Sequence, residues 1–218
     1  MGAVAFWWRK NPSACPYSQR FWVQAPHPGI TRDRLREILV PAPGERVLEI
    51  GPGTGYCIVR SGLPDGSAIT LLDPNPNVLR HATRKLAQYD VTTVEADVLK
   101  PLPVDGPFES AGMNMVIHCL PGPLTRKALA IQDIAAVLAP TGTLFGATIL
   151  GRSAKHSWLG HRVLTAFNRR GAFDNLDDSE EGLRQILEAS FEQVDIRIVG
   201  SAAVFEAKRP RQKAASQP

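Results

Sequence analysis

Arg46-Val-Leu-Glu-Ile-Gly51-Pro-Gly53-Thr-Gly55 is the stretch on which the reading of the fold turns. A short run with β-forming residues stops in three glycines at alternate positions. Such a bend can take backbone angles that a side chain would forbid, and it lets a ligand approach the main chain closely. A strand that ends this way reads as the first strand of an open α/β sheet, with its ligand at the strand's carboxyl end.

Working outward, short apolar runs alternate with helical stretches, as a mostly parallel sheet requires. Asp65-Gly66 is a turn, and Ser67 to Leu72 reads as a second strand ending at Asp73. From Pro76, a good first helical residue, Val78, Leu79, Ala82 and Leu86 recur at helical spacing. Val91 to Val94 is a third strand followed by Glu95 to Asp97. Ser110 to Ile117 is a fourth, apolar enough to be covered on both faces. A helix from about Thr125 to Leu138 closes at the Pro140-Thr-Gly142 turn, before a fifth strand from Thr143 to Leu150. Asp178-Ser-Glu-Glu181 offers a capping box for a helix to about Ala189. Only Gly200-Ser201 and a neighbour separate Val194–Val199 from Ala203–Ala207, which predicts an antiparallel hairpin. The expected class is α/β: a doubly wound, mostly parallel seven-stranded sheet with an antiparallel C-terminal hairpin strand and an N-terminal helical cap. The expected divisions are a cap over 1–40, a main domain over 41–207 with a substrate-side insertion at 151–178, and a flexible basic tail over 208–218.

Length and composition suit this reading. The 218 residues are 44% apolar and 21% charged, which is ordinary for a globular chain. No apolar run is long enough for a membrane-spanning helix. The first residues put their positive charge after the apolar stretch, the reverse of an export signal. Cys15, Cys57 and Cys119 are odd in number and lack metal-ligand spacing, so a reducing, cytoplasmic setting is expected. The net charge of +4 comes from the ends: residues 37–207 hold 15 basic against 20 acidic side chains. A basic folded face for nucleic acid is therefore not expected.

Two familiar nucleotide-binding patterns fail at the glycine bend. The dinucleotide fingerprint needs a sixth-position glycine, which is Tyr56 here, and a P-loop needs Lys followed by Ser or Thr, where Tyr56-Cys57 stands. The remaining pattern, Glu49-x-Gly51-x-Gly53-x-Gly55, resembles motif I of the class I S-adenosylmethionine-dependent methyltransferases. The resemblance spans about residues 45–150, with the hairpin agreeing in topology. It implies that Glu49, Gly51, Gly53 and Gly55 line the cofactor. Asp73 and Pro74, 18 and 19 residues past Gly55, would lie at the ribose, where each hydroxyl bonded to the acid is worth roughly 1.5–3 kcal/mol. Asp97 and Val98 would lie at the adenine, and Asn114 and Met115 near the remainder of the cofactor. Phe108-Glu-Ser-Ala and Pro140-Thr-Gly142 also resemble family segments. Taken singly, each residue also fits an ordinary turn, helix cap or loop acid.

The activated methyl of the cofactor leaves the protein mainly to align a nucleophile and exclude water. His118, after the fourth strand, is the expected general base, with structural packing as its other reading. The fourth-strand segment lacks the Asn/Asp-Pro-Pro-aromatic motif of amide and nucleobase N-methyltransferases. It also lacks any acid between Ser110 and Gln132, so no metal is expected. Tyr17, Phe21, Trp22, His118, Trp158 and His161 are the expected substrate residues, enclosing a small, partly apolar acceptor. Trp158, Leu159, Arg162, Val163 and Phe167 fall on one helical stripe, either core or pocket wall. The segments around His118-Cys-Leu-Pro-Gly122 and Gly146–Leu150 look like those of small methyltransferases of microbial secondary metabolism. Transfer to an O or N nucleophile of such a molecule is the expected function. No nucleic acid or membrane partner is expected, and a homodimer is an open assembly. An RNA or protein methyltransferase, an aminopropyl transferase on the same scaffold, and a non-catalytic cofactor-binding module are the alternatives.

Overall fold

A computed structural model of the chain describes residues 46–152, 156 and 158–211. The elements are β1 (Arg46–Ile50), α1 (Tyr56–Ser61), β2 (Ala68–Leu72), α2 (Pro76–Lys85), β3 (Asp90–Val94), β4 (Phe108–Asn114), α3 (Leu124–Val137), β5 (Leu138–Ile149), α4 (Trp158–Arg169), α5 (Glu180–Glu188), β6 (Phe191–Val199) and β7 (Ala202–Pro210). A single turn of 3₁₀ helix, Ile117–Cys119, follows β4. The seven strands lie in the order β3-β2-β1-β4-β5-β7-β6. Only β7 runs against its neighbours, pairing antiparallel with both β5 and β6.

The strand order reverses between β1 and β4. From there the chain builds outward to β2 and β3 on one side and to β5 on the other. That reversal opens a crevice at the strands' carboxyl ends, where ligands of open α/β sheets bind. Each face is sealed by apolar residues that alternate along the strands. Leu48, Ile50, Met113, Leu144 and Phe205 face α3 and α5, meeting Ile131, Ile134, Leu183 and Leu187. Val47, Ile69 and Leu71 face α1 and α2, meeting Ile58, Leu79 and Leu86. Each such side chain withdrawn from water stabilises the fold by roughly 1.5–3 kcal/mol.

Local chemistry sets the helix boundaries. Asn75 caps α2, its side chain accepting from the Asn77 amide at 3.0 Å, with Pro76 at the first helical position. Ser179 caps α5 by accepting from Gly182 N at 3.1 Å. Ser179, not Asp178, is thus the capping residue, and the Asp178 carboxylate accepts from Lys127 instead.

Three further expectations need correction. β4 ends at Asn114 rather than Ile117, because Met115 turns into the left-handed region at φ 59°. Pro140-Thr-Gly142 does not precede β5 but bulges within it: Phe108 pairs with Leu138 and Ser110 with Thr143, so residues 139–142 stand opposite Glu109 alone. The start of the expected basic tail is strand. Lys208 pairs with both Thr143 and Gln193, and Arg211 bonds the carbonyls of Ser190, Glu188 and Phe191. The expected cap over 1–40 lies outside the described residues.

Candidate functional site

The glycine bend forms as its sequence requires. Gly51, Gly53 and Gly55 all take positive φ, at 62°, 54° and 73°. Gly51 N donates to Leu72 O at 2.8 Å, tying the bend to the end of β2. A Cβ on Gly51 would come within 2.6 Å of Val116 Cγ2, whereas one on Gly53 would meet nothing within 4 Å. The bend is thus backed by the segment after β4 and open at its middle.

Asp73 follows β2 beside the bend and is half-buried. Its Oδ1 accepts from Asn75 N at 2.8 Å, and no hydrogen bond among the described residues reaches Oδ2. Burial raises this carboxyl to about 6, against the pull of the Asn75 amide. Asp73 does not cap α2, a task left to Asn75. Pro74 is exposed. Asp97 is also exposed and accepts from Leu99 N at 3.0 Å, while Val98 is buried. These residues stand in order at the ends of β1, β2 and β3.

Glu49 behaves differently from a surface ligand. It is 2% exposed, and burial pushes its carboxyl up to about 8, so the protonated form prevails at pH 7. The Asn114 amide beside it pulls the other way. Neither polar atom of that amide meets a partner in good hydrogen-bond geometry, although the side chain is 3% exposed. A buried, unsatisfied amide is costly and marks a place that a polar group can complete. An open, side-chain-free bend, a carboxylate with one oxygen unused and a buried amide without a well-formed hydrogen bond fit a polar nucleoside cofactor.

His118 sits in the 3₁₀ turn beyond β4 and is 2% exposed. Its Nδ1 accepts from Ile149 N at 3.3 Å and lies 3.3 Å from Thr148 Oγ1. That places the ring proton on Nε2. Phe173 meets the ring edge-on, with centroids 4.5 Å apart. Burial first, and the Lys127 cation second, hold the imidazole down at about 3. A base needs an accessible lone pair and a pKa near the working pH. His118 has its basic nitrogen engaged and its pKa held low, surroundings that favour packing over proton transfer.

The expected stripe on α4 is also corrected. Trp158 and Leu159 are 74% and 63% exposed, and His161 and Arg162 are exposed too. The Arg162 guanidinium lies over the Trp158 ring at 4.9 Å. The helix is turned so that Leu164 is buried and Phe167 packs with Ile149, Ala172 and Phe173. Trp158 and His161 therefore line no wall built from the described residues. Tyr17, Phe21 and Trp22 lie outside them.

Residues 172–178 supply polar contacts that sequence reasoning missed. Lys127, 1% exposed, donates to Asp178 Oδ2 at 2.7 Å and to Asp174 O at 2.6 Å. Asp174 Oδ2 accepts from Gly122 N at 2.8 Å, and Asp174 N donates to His118 O at 2.9 Å. Asn175 bonds Ile149 O at 2.8 Å and exchanges two bonds with Asn168. A signal was present in the sequence: Lys127 falls on the same helical stripe as Ala130, Ile131 and Ile134, a charge on an apolar face.

Among the described residues, no group of three or more His, Cys, Asp or Glu side chains is placed to hold a metal ion. None of their helices is long and apolar enough to cross a membrane.

Comparison with known proteins agrees with this geometry. A family model described as a methyltransferase domain matches residues 22–190. The chain is 39% identical over 166 residues to demethylluteothin O-methyltransferase of Streptomyces thioluteus, covering 75% of this chain and 72% of that one. It is 33% identical over 183 residues to the physcion biosynthesis cluster O-methyltransferase of Aspergillus chevalieri, covering 83% and 82%. Among solved structures, the DhpI complex with SAH shares the fold at a TM-score of 0.63 and 18% identity, over 97% of both chains.

Proposed function

We propose that this chain, which belongs to the class I S-adenosylmethionine-dependent methyltransferases, moves a methyl group to a hydroxyl oxygen of a small, partly apolar secondary metabolite. The open glycine bend at the β1–β4 reversal carries the reading, with Asp73 at the neighbouring strand end. When bound, the cofactor supplies an electrophilic methyl on a sulfonium. The chain's own residues do the rest. The Gly51–Gly55 main chain and Asp73 would hold the nucleoside, and Asp97 and Val98 would meet its base. Asn114 would give a hydrogen bond to the cofactor, and Met115 would line the site beside it.

On the acceptor side, Phe167, Met115 and Cys119 border an apolar cluster of Ile149, Leu164, Ala172 and Phe173. Such a border excludes water and suits a flat, largely carbon acceptor. The neutral state of His118 bears on the nucleophile. With the His118 lone pair already engaged by Ile149 N and its pKa held low, the fitting acceptor is a hydroxyl acidic enough to lose its proton without this ring, a phenol or an enol. Oxygen is favoured over nitrogen by the two O-methyltransferase relatives. We place the transfer in the cytoplasm, as the odd number and irregular spacing of the cysteines suggest.

The test is direct. Purified protein is incubated with S-adenosylmethionine, demethylluteothin and a panel of phenols, enols and amines, and products are read by mass for a gain of one methyl. Methylated phenol or enol products are expected. Methylation confined to amines would overturn the oxygen assignment, and failure to bind S-adenosylhomocysteine by titration calorimetry would overturn the cofactor site.

A further inference from the structure

Residues 172–178 cross the carboxyl ends of β4 and β5 as a strap, anchored by Ala172 and Phe173 in the apolar cluster at one end and by polar bonds over 174–178. Asp174 grips the loop after β4 through Gly122 N and the 3₁₀ turn through His118 O. Asn175 grips the end of β5 through Ile149 O. The Asp178 carbonyl accepts from both Gly151 N and Arg152 N, at 3.1 and 2.9 Å. At the centre stands one buried cation, Lys127, which bonds the strap at two points four residues apart. The strap also delivers Phe173, whose ring meets His118 and lies 5.2 Å from Phe167.

A buried ion pair is a poor stabiliser compared with an apolar pair of the same shape, since desolvation offsets most of the attraction. What such a pair does provide is a directional constraint. We propose that Lys127 is a positioning residue for the acceptor side: by fastening Asp174 and Asp178 it holds the strap over β4 and β5 and so fixes Phe173 against the His118 ring. The proposal rests on reading the β1–β4 crevice as the site of methyl transfer, because that places the strap on the side away from Asp73.

The groups facing His118 are Thr148 and the Ile149 amide from β5, Phe173 and Asp174 from the strap, and Lys127 from α3. The ring is therefore a reporter of the strap's position. Lys127→Met alone leaves Asp178 buried and unpaired and can fail to fold. The double variant K127M/D178N removes both charges while keeping the volumes similar, and Lys127→Arg keeps the charge.

The experiment uses the whole chain loaded with S-adenosylhomocysteine. In K127M/D178N, the Asp174 and Gly151 amides are expected to exchange with solvent at least about tenfold faster, while ligand affinity stays within about threefold. The ¹⁵N signals of His118 are expected to lose the pattern of a single neutral Nε2–H tautomer. Where demethylluteothin is turned over, its KM should rise about tenfold with kcat little changed. Lys127→Arg should restore most of the exchange protection. Unchanged exchange and ring signals in the double variant would overturn the proposal, as would parallel loss of ligand affinity and strap protection. A wild-type protein that does not bind S-adenosylhomocysteine would sink the methyl-transfer reading instead, with exchange and ring signals of the free protein still judging the fastening.

Discussion

Glu49 lies directly against Gly112, its β4 partner in register, and its carboxyl fills the space that a side chain at 112 would need. A Cβ there would overlap Glu49 Oε2 and press the Phe145 ring at 3.0 Å. Gly112→Ala should therefore destabilise the fold by about 1–3 kcal/mol, in the range of an overpacked core. Adding Glu49→Ala should return part of that loss, since the clash is with this carboxyl. Urea unfolding of the two single variants and the pair gives the coupling.

The same carboxyl makes stability depend on pH. Its folded pKa of about 8 stands above the 4.5 of an ordinary glutamate, so the folded state retains a proton that the unfolded chain releases. Stability from this group is full in acid, declines as pH rises past 4.5, and is gone above about 8. Asp73 has the same sign over its narrower window, from 3.8 to about 6. Thermal melts of Glu49→Gln should lose most of the decline between pH 6 and 8 that the parent shows.

Gly51 and Gly53 share a backbone conformation but not a neighbourhood. Alanine at either adds roughly 1–2 kcal/mol of left-handed strain. Only Gly51→Ala also strikes a side chain, that of Val116. Val116→Ala should therefore relieve part of the Gly51→Ala penalty and none of the Gly53→Ala penalty, in both unfolding and S-adenosylhomocysteine titration.

Asp73→Ala should weaken S-adenosylhomocysteine by tenfold or more, consistent with the loss of charge-assisted hydrogen bonds. Affinity in the parent should fall as pH drops through about 6, as the carboxylate takes up its proton. Calorimetry between pH 5 and 8 would expose both effects, and a flat profile in the parent would remove Asp73 from the ribose.

His118→Gln should leave kcat within about tenfold of the parent, because a ring whose lone pair is engaged by Ile149 N and whose pKa is held at about 3 is a poor proton acceptor. Its pH–rate profile should match the parent's. A collapse of kcat by several orders of magnitude would reinstate the base.

How much of this was legible beforehand follows from the range of the forces involved. The glycine bend, the strand ends at Asp73 and Asp97 and the closing hairpin were readable, because backbone sterics and alternation are local. Element edges were less so. Nothing local distinguishes a turn before β5 from a bulge inside it, since pairing with Phe108 and Ser110 decides the matter. Side-chain states were least legible. His118 looked like a base because its reference pKa is near neutral, but Ile149 and Phe173, 31 and 55 residues away in the chain, set its tautomer and bury it. Lys127 and Asp178, 51 residues apart, could be suspected only from a charge on an apolar helix stripe. The α4 stripe failed for a related reason: it was correctly helical, but packing against Ile149 fixed which side turned inward.

The interior place of β7 has a consequence for how the molecule is made. β6 leaves the ribosome first, yet it joins the sheet only through β7, which slots between it and β5. Until residues 202–210 emerge, the nascent sheet ends at a bare β5 edge and β6 has no strand to join. Assembly of that half of the sheet is therefore a late step of biosynthesis, and a message broken before the codon for Ala202 would yield a chain ready to pair with its neighbours.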